Sequence, residues 1–345
     1  MDGKLIVRNH PKQHYRSLFH QSTGFFVRKE EEGFPEPLWA MDGPELIDLS
    51  ITSYCRRECR FCYRKSNSRY YLHMPLEDVA RVVEEANKCG TFQIALGGGN
   101  PNQHPEFEKI LKLIRENDII PSYTTNGEGL TDSLLTATAE YCGAMAVSVY
   151  PDRGWNFYET LVKRIPEYKI RLNLHAILNN ETLDLWIKLL NDPPSFFNDI
   201  NAIIFLNYKP SGHTRESLLP EDLEKVKHFF RSANNCRTVK IGFDSCSISG
   251  IVKWMDIPAI VAESCEAARF SCFIREDMKM FPCSFMAEND NGGDLRARPL
   301  IEIWRNNPVF KAFRNTTVSA KCSRCPHLPL CKGGCQLFPQ INFCR

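Results

Sequence analysis

Three cysteines stand within eight residues in Cys55-Arg-Arg-Glu-Cys59-Arg-Phe-Cys62, a C-x3-C-x2-C spacing with an aromatic residue, Phe61, directly before the last thiol. Three thiolates in one short loop suit three irons of a cubane cluster and leave the fourth iron open to an outside ligand. An open metal position is what coordination of a substrate or cofactor requires. A zinc site completed by His73 is the alternative, although structural zinc is usually held by paired knuckles. Eight further cysteines lie between Cys265 and Cys344, namely Cys265, Cys272, Cys283, Cys322, Cys325, Cys331, Cys335 and Cys344. Eight thiolates make two sets of four, each able to saturate one [4Fe–4S] cluster, while the C-x2-C pair at Cys322 and Cys325 suits tetrahedral zinc equally well. Cys89, Cys142, Cys236 and Cys246 are scattered between the two groups.

Loops of this kind need a scaffold, and the sequence between them alternates strand-like and helix-like segments. Short runs rich in Ile, Val, Leu and Ala at 46–52, 91–96, 120–124, 144–149, 170–176, 200–206 and 238–243 read as buried parallel strands, apolar on both faces. Periodic stretches at 75–90 and 105–117 read as helices, and Pro75 and Pro220 precede acidic residues where a first helical turn favours them. This alternation predicts an α/β fold with a parallel sheet, open or rolled into a barrel. Barrels of this type carry their sites at the C-terminal ends of the strands. That singles out Gly97, Gly98, Gly99 and Asn100 after the second strand, Asn126 after the third, Ser148 on the fourth, and Asn173 and His175 on the fifth. Each is also a residue type that serves as an ordinary turn or a satisfied core group. Residues 1–44 are left as an N-terminal extension, 45–250 as the βα domain and 251–345 as a small cysteine-rich domain. The last hundred residues show little apolar periodicity, so metal rather than a conventional core is expected to hold them.

Composition limits the remaining classes. With 345 residues the chain buries a core without disulfide staples. Lys and Arg number 43 against 41 Asp and Glu, a net charge of +2, which gives no footprint for nucleic acid. No apolar run resembles a secretory signal in the first twenty residues, and none approaches the length of a membrane span. A cytoplasmic location follows as the expectation, and there clustered cysteines point to metal before disulfides.

The Cys55–Cys62 loop, placed straight after the first strand of a βα series, resembles the cluster loop of the radical SAM (S-adenosylmethionine) superfamily, C-x3-C-x-aromatic-C. Gly97-Gly98-Gly99-Asn100 looks like that superfamily's glycine-rich turn, which meets the methionine amino group of SAM, with Asn100 where Glu is usual. Asn126, Ser148 and Asn173 stand where relatives bind the rest of SAM. The tail, with C-x2-C-x5-C-x3-C from Cys322 to Cys335 followed by Cys344, resembles the SPASM domain. Cys265-x6-Cys272-x10-Cys283 is similar to that domain's other half, and the turn leading to Cys283 has Met278 in place of a usual Gly. The resemblance implies a partial (β/α)6 TIM-like barrel followed by a small SPASM domain. It implies three [4Fe–4S] clusters: one on Cys55, Cys59 and Cys62 that binds SAM, one on Cys265, Cys272, Cys283 and Cys335, and one on Cys322, Cys325, Cys331 and Cys344. It also implies reductive cleavage of SAM to a 5′-deoxyadenosyl radical that removes a hydrogen atom from substrate.

Relatives with SPASM domains mostly modify peptides or proteins, so the resemblance favours crosslinking, oxidation or epimerisation of a ribosomally synthesised peptide. Sulfatase-type maturases carry an Asp after the third cysteine of the first auxiliary set, where this chain has Ser284. A small-molecule enzyme and, outside catalysis, a zinc-ribbon binding protein or a ferredoxin-type carrier are the alternatives. The implied partners are a peptide or small protein substrate and a one-electron reductant of flavodoxin or ferredoxin type. Only 45 residues precede Leu46, so leader recognition is expected from a separate leader-binding protein or from this chain's surface. Cys246 and Asp244, after the last strand, are candidates for a hydrogen-atom donor and a base, with an inert buried thiol and a turn cap as the alternatives. Lys209 and His213 follow the sixth strand and are candidates for substrate contact.

Overall fold

The computed structural model describes residues 3–212, 218–258 and 261–344. It opens with an antiparallel meander, β1 (Leu5–His10), β2 (Tyr15–His20) and β3 (Phe26–Glu30). The βα series follows: β4 (Leu46–Thr52), α1 (Leu76–Cys89), β5 (Gln93–Gly98), α2 (Phe107–Glu116), β6 (Ile120–Thr125), α3 (Asp132–Tyr141), β7 (Ala144–Ser148), α4 (Trp155–Arg164), β8 (Leu172–Leu178), α5 (Leu183–Asn191), β9 (Ala202–Asn207), α6 (Leu223–Asn235), β10 (Lys240–Phe243) and α7 (Ile248–Trp254). The tail adds β11 (Ser271–Ile274), β12 (Lys279–Phe281), β13 (Gly293–Asp294), α8 (Leu300–Asn306), α9 (Pro308–Arg314), α10 (Ala320–Ser323) and α11 (Leu328–Cys331).

All seven strands expected from Leu46 to Phe243 form, one more than the six of the implied barrel, and each pairs in parallel with its neighbour. Four of them begin two residues later than the apolar runs. At Thr91 the reason is local: its N–H closes α1 on Ala86 O and its hydroxyl donates to Pro44 O, so the strand starts only at Gln93. Helix α1 buries Val79, Val82, Val83 and Ala86, one stripe at helical spacing, and ends on Gly90 in the left-handed region.

The strands are not apolar on both faces. Ile47, Leu49 and Ile51 of β4 point to the helices, as do Met145 and Val147 of β7 and Leu172 and Leu174 of β8. The alternate residues, Asp48, Ala95, Gly97, Ser122, Thr124, Ala146 and Ser148, are small or polar and line the concave face. Asp48 remains exposed although β4 is paired on both sides. The inner face is therefore open rather than filled with side chains as a closed barrel core is.

The tail departs from the expectation of a segment without its own packing. Strand β11 pairs in parallel with β4, and β12 and β13 continue the same ten-stranded sheet. Met280, Leu300, Ile303, Trp304 and Phe310 are all buried in the main core, and the Trp304 indole donates to Ala40 O at 2.6 Å. These anchors sit on elements of three to seven residues, too short to show a period. At Met278 the chain adopts φ 70°, the left-handed conformation a glycine would take, and buries the side chain completely. The N-terminal meander packs Phe19 and Phe26 on Phe92 at the base of β5. Arg28 joins Glu45 and Glu266, each at 2.6 Å, and so ties the meander to the tail.

Candidate functional site

The Cys55–Cys62 loop leaves the C-terminal end of β4, and its three thiols are half-buried. The backbone fixes it at both ends, with Cys55 N–H donating to Asn67 O at 3.1 Å and Cys62 N–H to Cys59 O at 3.0 Å. The glycine turn after β5 holds it from the side. Gly99 N–H donates to Thr52 O at 2.6 Å and Asn100 N–H to Tyr54 O at 2.8 Å. A Cβ on Gly99 would lie 2.0 Å from Tyr54 O, so only glycine permits that approach. A Cβ on Gly97 would meet nothing within 4 Å and would project into the open inner space.

Asn100 is almost wholly buried. Its Oδ1 accepts from Thr125 Oγ1 at 3.0 Å and from Asn126 N–H at 2.9 Å, and its Nδ2 has no protein partner. It thus orients the end of β6, where the Asn126 amide lies 4.0 Å from Cys55 Sγ. Phe61 faces Tyr150 with ring centres 6.2 Å apart, and the Arg57 guanidinium lies 3.9 Å over Tyr150 while pairing with Asp152 at 2.7 Å. Beside them is a cavity of about 530 Å³ that includes Cys59, Phe61, Tyr150, Asn179 and Thr182 in its lining. Burial pushes the Cys59 thiol up to about 11 against the pull of Arg57. Cys59 is therefore a neutral thiol at pH 7 unless a metal takes its proton.

Two candidates fall elsewhere than expected. Asn173 is the second residue of β8, at its N-terminal end, where its Oδ1 accepts from Asn201 Nδ2 at 2.7 Å. It therefore lies far from the loop, because β8 begins two residues beyond the start of the apolar run. Asp244 is no free base: its Oδ2 is 2.6 Å from Lys209 Nζ, and its Oδ1 accepts from Ser247 Oγ at 2.9 Å. Lys209 is buried by that pair, with Nζ also donating to Asn207 O at 2.7 Å, so it presents no ammonium for substrate. His213 lies outside the described residues. Ser148 is placed as expected, on the inner face at the end of β7, level with His175 on β8.

Sequence reasoning missed Asp48, Tyr63, Asn179 and Thr182. Asp48 had a signal, as the one charge in an otherwise apolar strand. Although the residue stays open to the inner space, it sits deep in the concave face, and desolvation there pushes its carboxyl up to about 6. His175 was noticed only as a SAM contact. Burial holds its imidazole down at about 4, with Asp244 opposing, and Thr124 Oγ1 lies 3.3 Å from its Nδ1.

The tail cysteines form two groups. Cys331 feels the charges of Cys344, Cys322 and Cys325, the set expected from the tail motif. The other group lies around one pocket that Lys209, Phe285 and Leu337 help to line, and it comprises Cys246, Cys265, Cys283 and Cys335. Cys272 is not in it. Cys246 and Cys335 are neighbours in that pocket, and their interaction pushes the Cys246 thiol up and draws the Cys335 thiol down. The Cys246 thiol thus meets another thiol rather than the open inner space a hydrogen-atom donor would need. Among the described residues no three His, Cys, Asp or Glu side chains converge as ligands of a single ion. Thiols gathered more widely fit a centre in which each binds a different iron.

Comparison with known proteins gives the family. Residues 49–206 match the radical SAM superfamily and residues 265–326 match the SPASM iron–sulfur cluster-binding domain. The mycofactocin maturase MftC of Mycobacterium tuberculosis is 19% identical over 315 residues, covering 86% of this chain and 79% of that protein. The AdoMet-dependent heme synthase of Methanosarcina barkeri is 22% identical over 324 residues, covering 85% and 91%. Among solved structures, Streptococcus suis SuiB bound to its precursor peptide SuiA superposes with a TM-score of 0.70 at 18% identity, over 85% of this chain and 72% of that one. With a three-thiol loop at the mouth of an open parallel sheet and two further groups of thiols in the tail, the chain belongs to the radical SAM superfamily and carries a C-terminal SPASM domain.

Proposed function

We propose that this protein modifies a ribosomally synthesised peptide by radical SAM chemistry, forming a crosslink, an oxidised residue or an epimer. The observation that carries the reading is the open inner face below the Cys55–Cys62 loop. It is lined by Gly97, Thr124, Ser148 and exposed Asp48, so a peptide side chain has room to reach the site. The likeness to MftC over 86% of this chain and to SuiB over 85% of it, the latter solved with a precursor peptide, supports the substrate class.

In this reading Cys55, Cys59 and Cys62 would hold a [4Fe–4S] cluster, which with SAM and one electron from an external reductant would supply the radical chemistry that takes a hydrogen atom from an unactivated C–H bond. Gly97, Gly98 and Gly99 offer backbone to the methionine end of SAM, and Asn100 and Asn126 brace that turn against Cys55. The cavity flanked by Phe61 and Tyr150 takes the nucleoside, with Asn179 and Thr182 at its edge. Cys322, Cys325, Cys331 and Cys344 hold an auxiliary cluster of the tail. Ser284 stands directly after Cys283, where sulfatase-type maturases place an Asp, so this position offers no carboxylate base.

The partners in this reading are a peptide, a one-electron reductant of flavodoxin or ferredoxin type, and a separate leader-binding protein or a surface of this chain. No helix among the described residues is long and apolar enough to cross a membrane, in keeping with work in the cytoplasm. The test is anaerobic reconstitution with iron and sulfide, then SAM and a strong reductant, with and without each short peptide that neighbouring genes encode. Production of 5′-deoxyadenosine and a mass change in that peptide are expected. Zinc in place of iron, with no cleavage of SAM, would sink the reading.

A further inference from the structure

The two faces of β11 separate Cys272 from the other tail thiols. In the parallel ladder with β4, Cys272 is in register with Ile47 and Phe273 with Asp48. Partners in register point to the same side of a sheet. Ile47 is fully buried in the layer between sheet and helices, so Cys272 lies on that outer side and Phe273 on the inner side. The neighbours of Cys272 agree. It is 2% exposed, and the charges it feels come from Asp48 next to its register partner, from Cys89 at the end of α1 and from Arg314 at the end of α9. None of these is one of the other tail cysteines. To join them the strand would have to slip by one residue, which would drive Phe273 and its apolar partners out of their packing.

The place left open is taken by Cys246. It sits in the single turn between β10 and α7, at the edge of the sheet remote from β11 in strand order, and lines the same pocket as Cys265, Cys283 and Cys335. The four come from separate stretches of chain. All four are free thiols that line that one pocket. The backbone fixes their positions: Cys335 N–H donates to the Asn342 side chain at 3.0 Å, and Met286 N–H to Cys283 O at 3.0 Å. The Lys209 ammonium, paired with Asp244, lies among them and offsets the negative charge that four thiolates and a cluster carry together.

Resting on the reading that the tail holds iron–sulfur clusters, we infer that the first auxiliary cluster is bound by Cys246, Cys265, Cys283 and Cys335, and that Cys272 is a core residue and no ligand. The disagreement with the set that the resemblance implies is confined to one position. It also removes Cys246 from the chemistry of the substrate.

The experiment uses the full chain, reconstituted anaerobically as wild type, Cys246→Ala, Cys272→Ala and Cys272→Val, and reads iron, acid-labile sulfide and the low-temperature EPR spectrum of the reduced protein. Val fills the core site if Ala leaves too large a cavity, and far-UV circular dichroism reports folding. Wild type and at least one Cys272 variant should hold about twelve irons, and Cys246→Ala about eight, with the loss of one EPR component. Loss of about four irons from both folded Cys272 variants, or full iron in Cys246→Ala, would overturn the assignment. Wild type with about four irons or with zinc marks failure of the cluster reading itself, a result visible before any variant is compared and one that removes this inference with it.

Discussion

Gly97 and Gly99 lie two residues apart in one turn, and the structure assigns their substitution opposite consequences. A Cβ on Gly99 would stand 2.0 Å from Tyr54 O, 2.5 Å from Tyr54 C and 2.8 Å from Ser53 C. These atoms are backbone and cannot rotate away, so Gly99→Ala must push the turn off the segment that leads into Cys55. Overpacking of this kind costs about 1–3 kcal/mol. The hydrogen bonds Gly99 N–H to Thr52 O and Asn100 N–H to Tyr54 O weaken with it, at about 1 kcal/mol each. A loss of about 2–5 kcal/mol in stability is expected, together with a lower iron content. Gly97→Ala has open space around its Cβ and a φ outside the left-handed region. Its stability should stay the same or rise by about 0.4–1 kcal/mol, since alanine narrows the unfolded ensemble. If that space belongs to SAM, the methyl crowds the ligand by a similar 1–3 kcal/mol, a rise in Kd of about 5- to 150-fold. Urea unfolding of the anaerobic protein gives the first quantity, and equilibrium dialysis with labelled SAM gives the second. Gly97→Ala binding SAM as tightly as wild type would refute the placement of the cofactor, and Gly99→Ala as stable as wild type would refute the latch.

Lys209→Met and Asp244→Asn should move the potential of the first auxiliary cluster in opposite directions. A unit charge at roughly 6 Å with an effective dielectric near 20 is worth about 3 kcal/mol, or about 130 mV for one electron, so the Lys variant should fall and the Asp variant rise in an EPR-monitored titration. Shifts of the same sign would mean that both act by disturbing the fold. His175 is held down at about 4 by burial, below its unfolded value of 6.5. The unfolded state thus binds the extra proton, and stability should fall by up to about 3 kcal/mol as pH drops from 6.5 to 4. His175→Asn should flatten that part of a urea-midpoint profile, and an unchanged slope would place the acid sensitivity elsewhere. Arg28→Ala strands Glu45 and Glu266 without their common partner and should cost about 3–5 kcal/mol. A thermal unfolding midpoint equal to that of wild type would show that the triad holds nothing together.

The cluster loop and the glycine turn were legible because each is local: spacing within eight residues settles what the loop can hold, and the strand before it settles where it sits. What depended on which side of a strand faces inward was not. Cys265, Cys272 and Cys283 read as one run of ligands, yet register with β4 turns Cys272 to the helices and leaves its place to Cys246 from the far edge of the sheet. Asn173 failed through a shift of two residues, enough to move it from mid-strand to the closed end. The core of the tail was hidden because Met280, Trp304 and Phe310 belong to different short elements and join one core only after the chain has folded back on α1 and β4. The meander at 5–30 carries its own alternation, but its packing partner Phe92 lies beyond the whole first helix.

The two cysteine sets nearest the open face are not independent sites on a common scaffold. Tyr63, next to Cys62, stacks on Phe285, two residues after Cys283, with ring centres 4.6 Å apart. Lys209, beside Cys246 and Cys335, lies 5.0 Å from the same Phe285 ring. Three residues further on, a Cβ at Gly212 would be 2.0 Å from Cys62 O, so the segment after β9 is wedged against the first loop as well. An error in placing either set must therefore be transmitted to the other through packed aromatic and backbone contacts, which do not deform freely. That mutual constraint gives a physical reason for the tail to extend the sheet through β11 instead of hanging from it: a tethered domain would leave the distance between the two sets to a flexible linker, whereas a shared ladder fixes it.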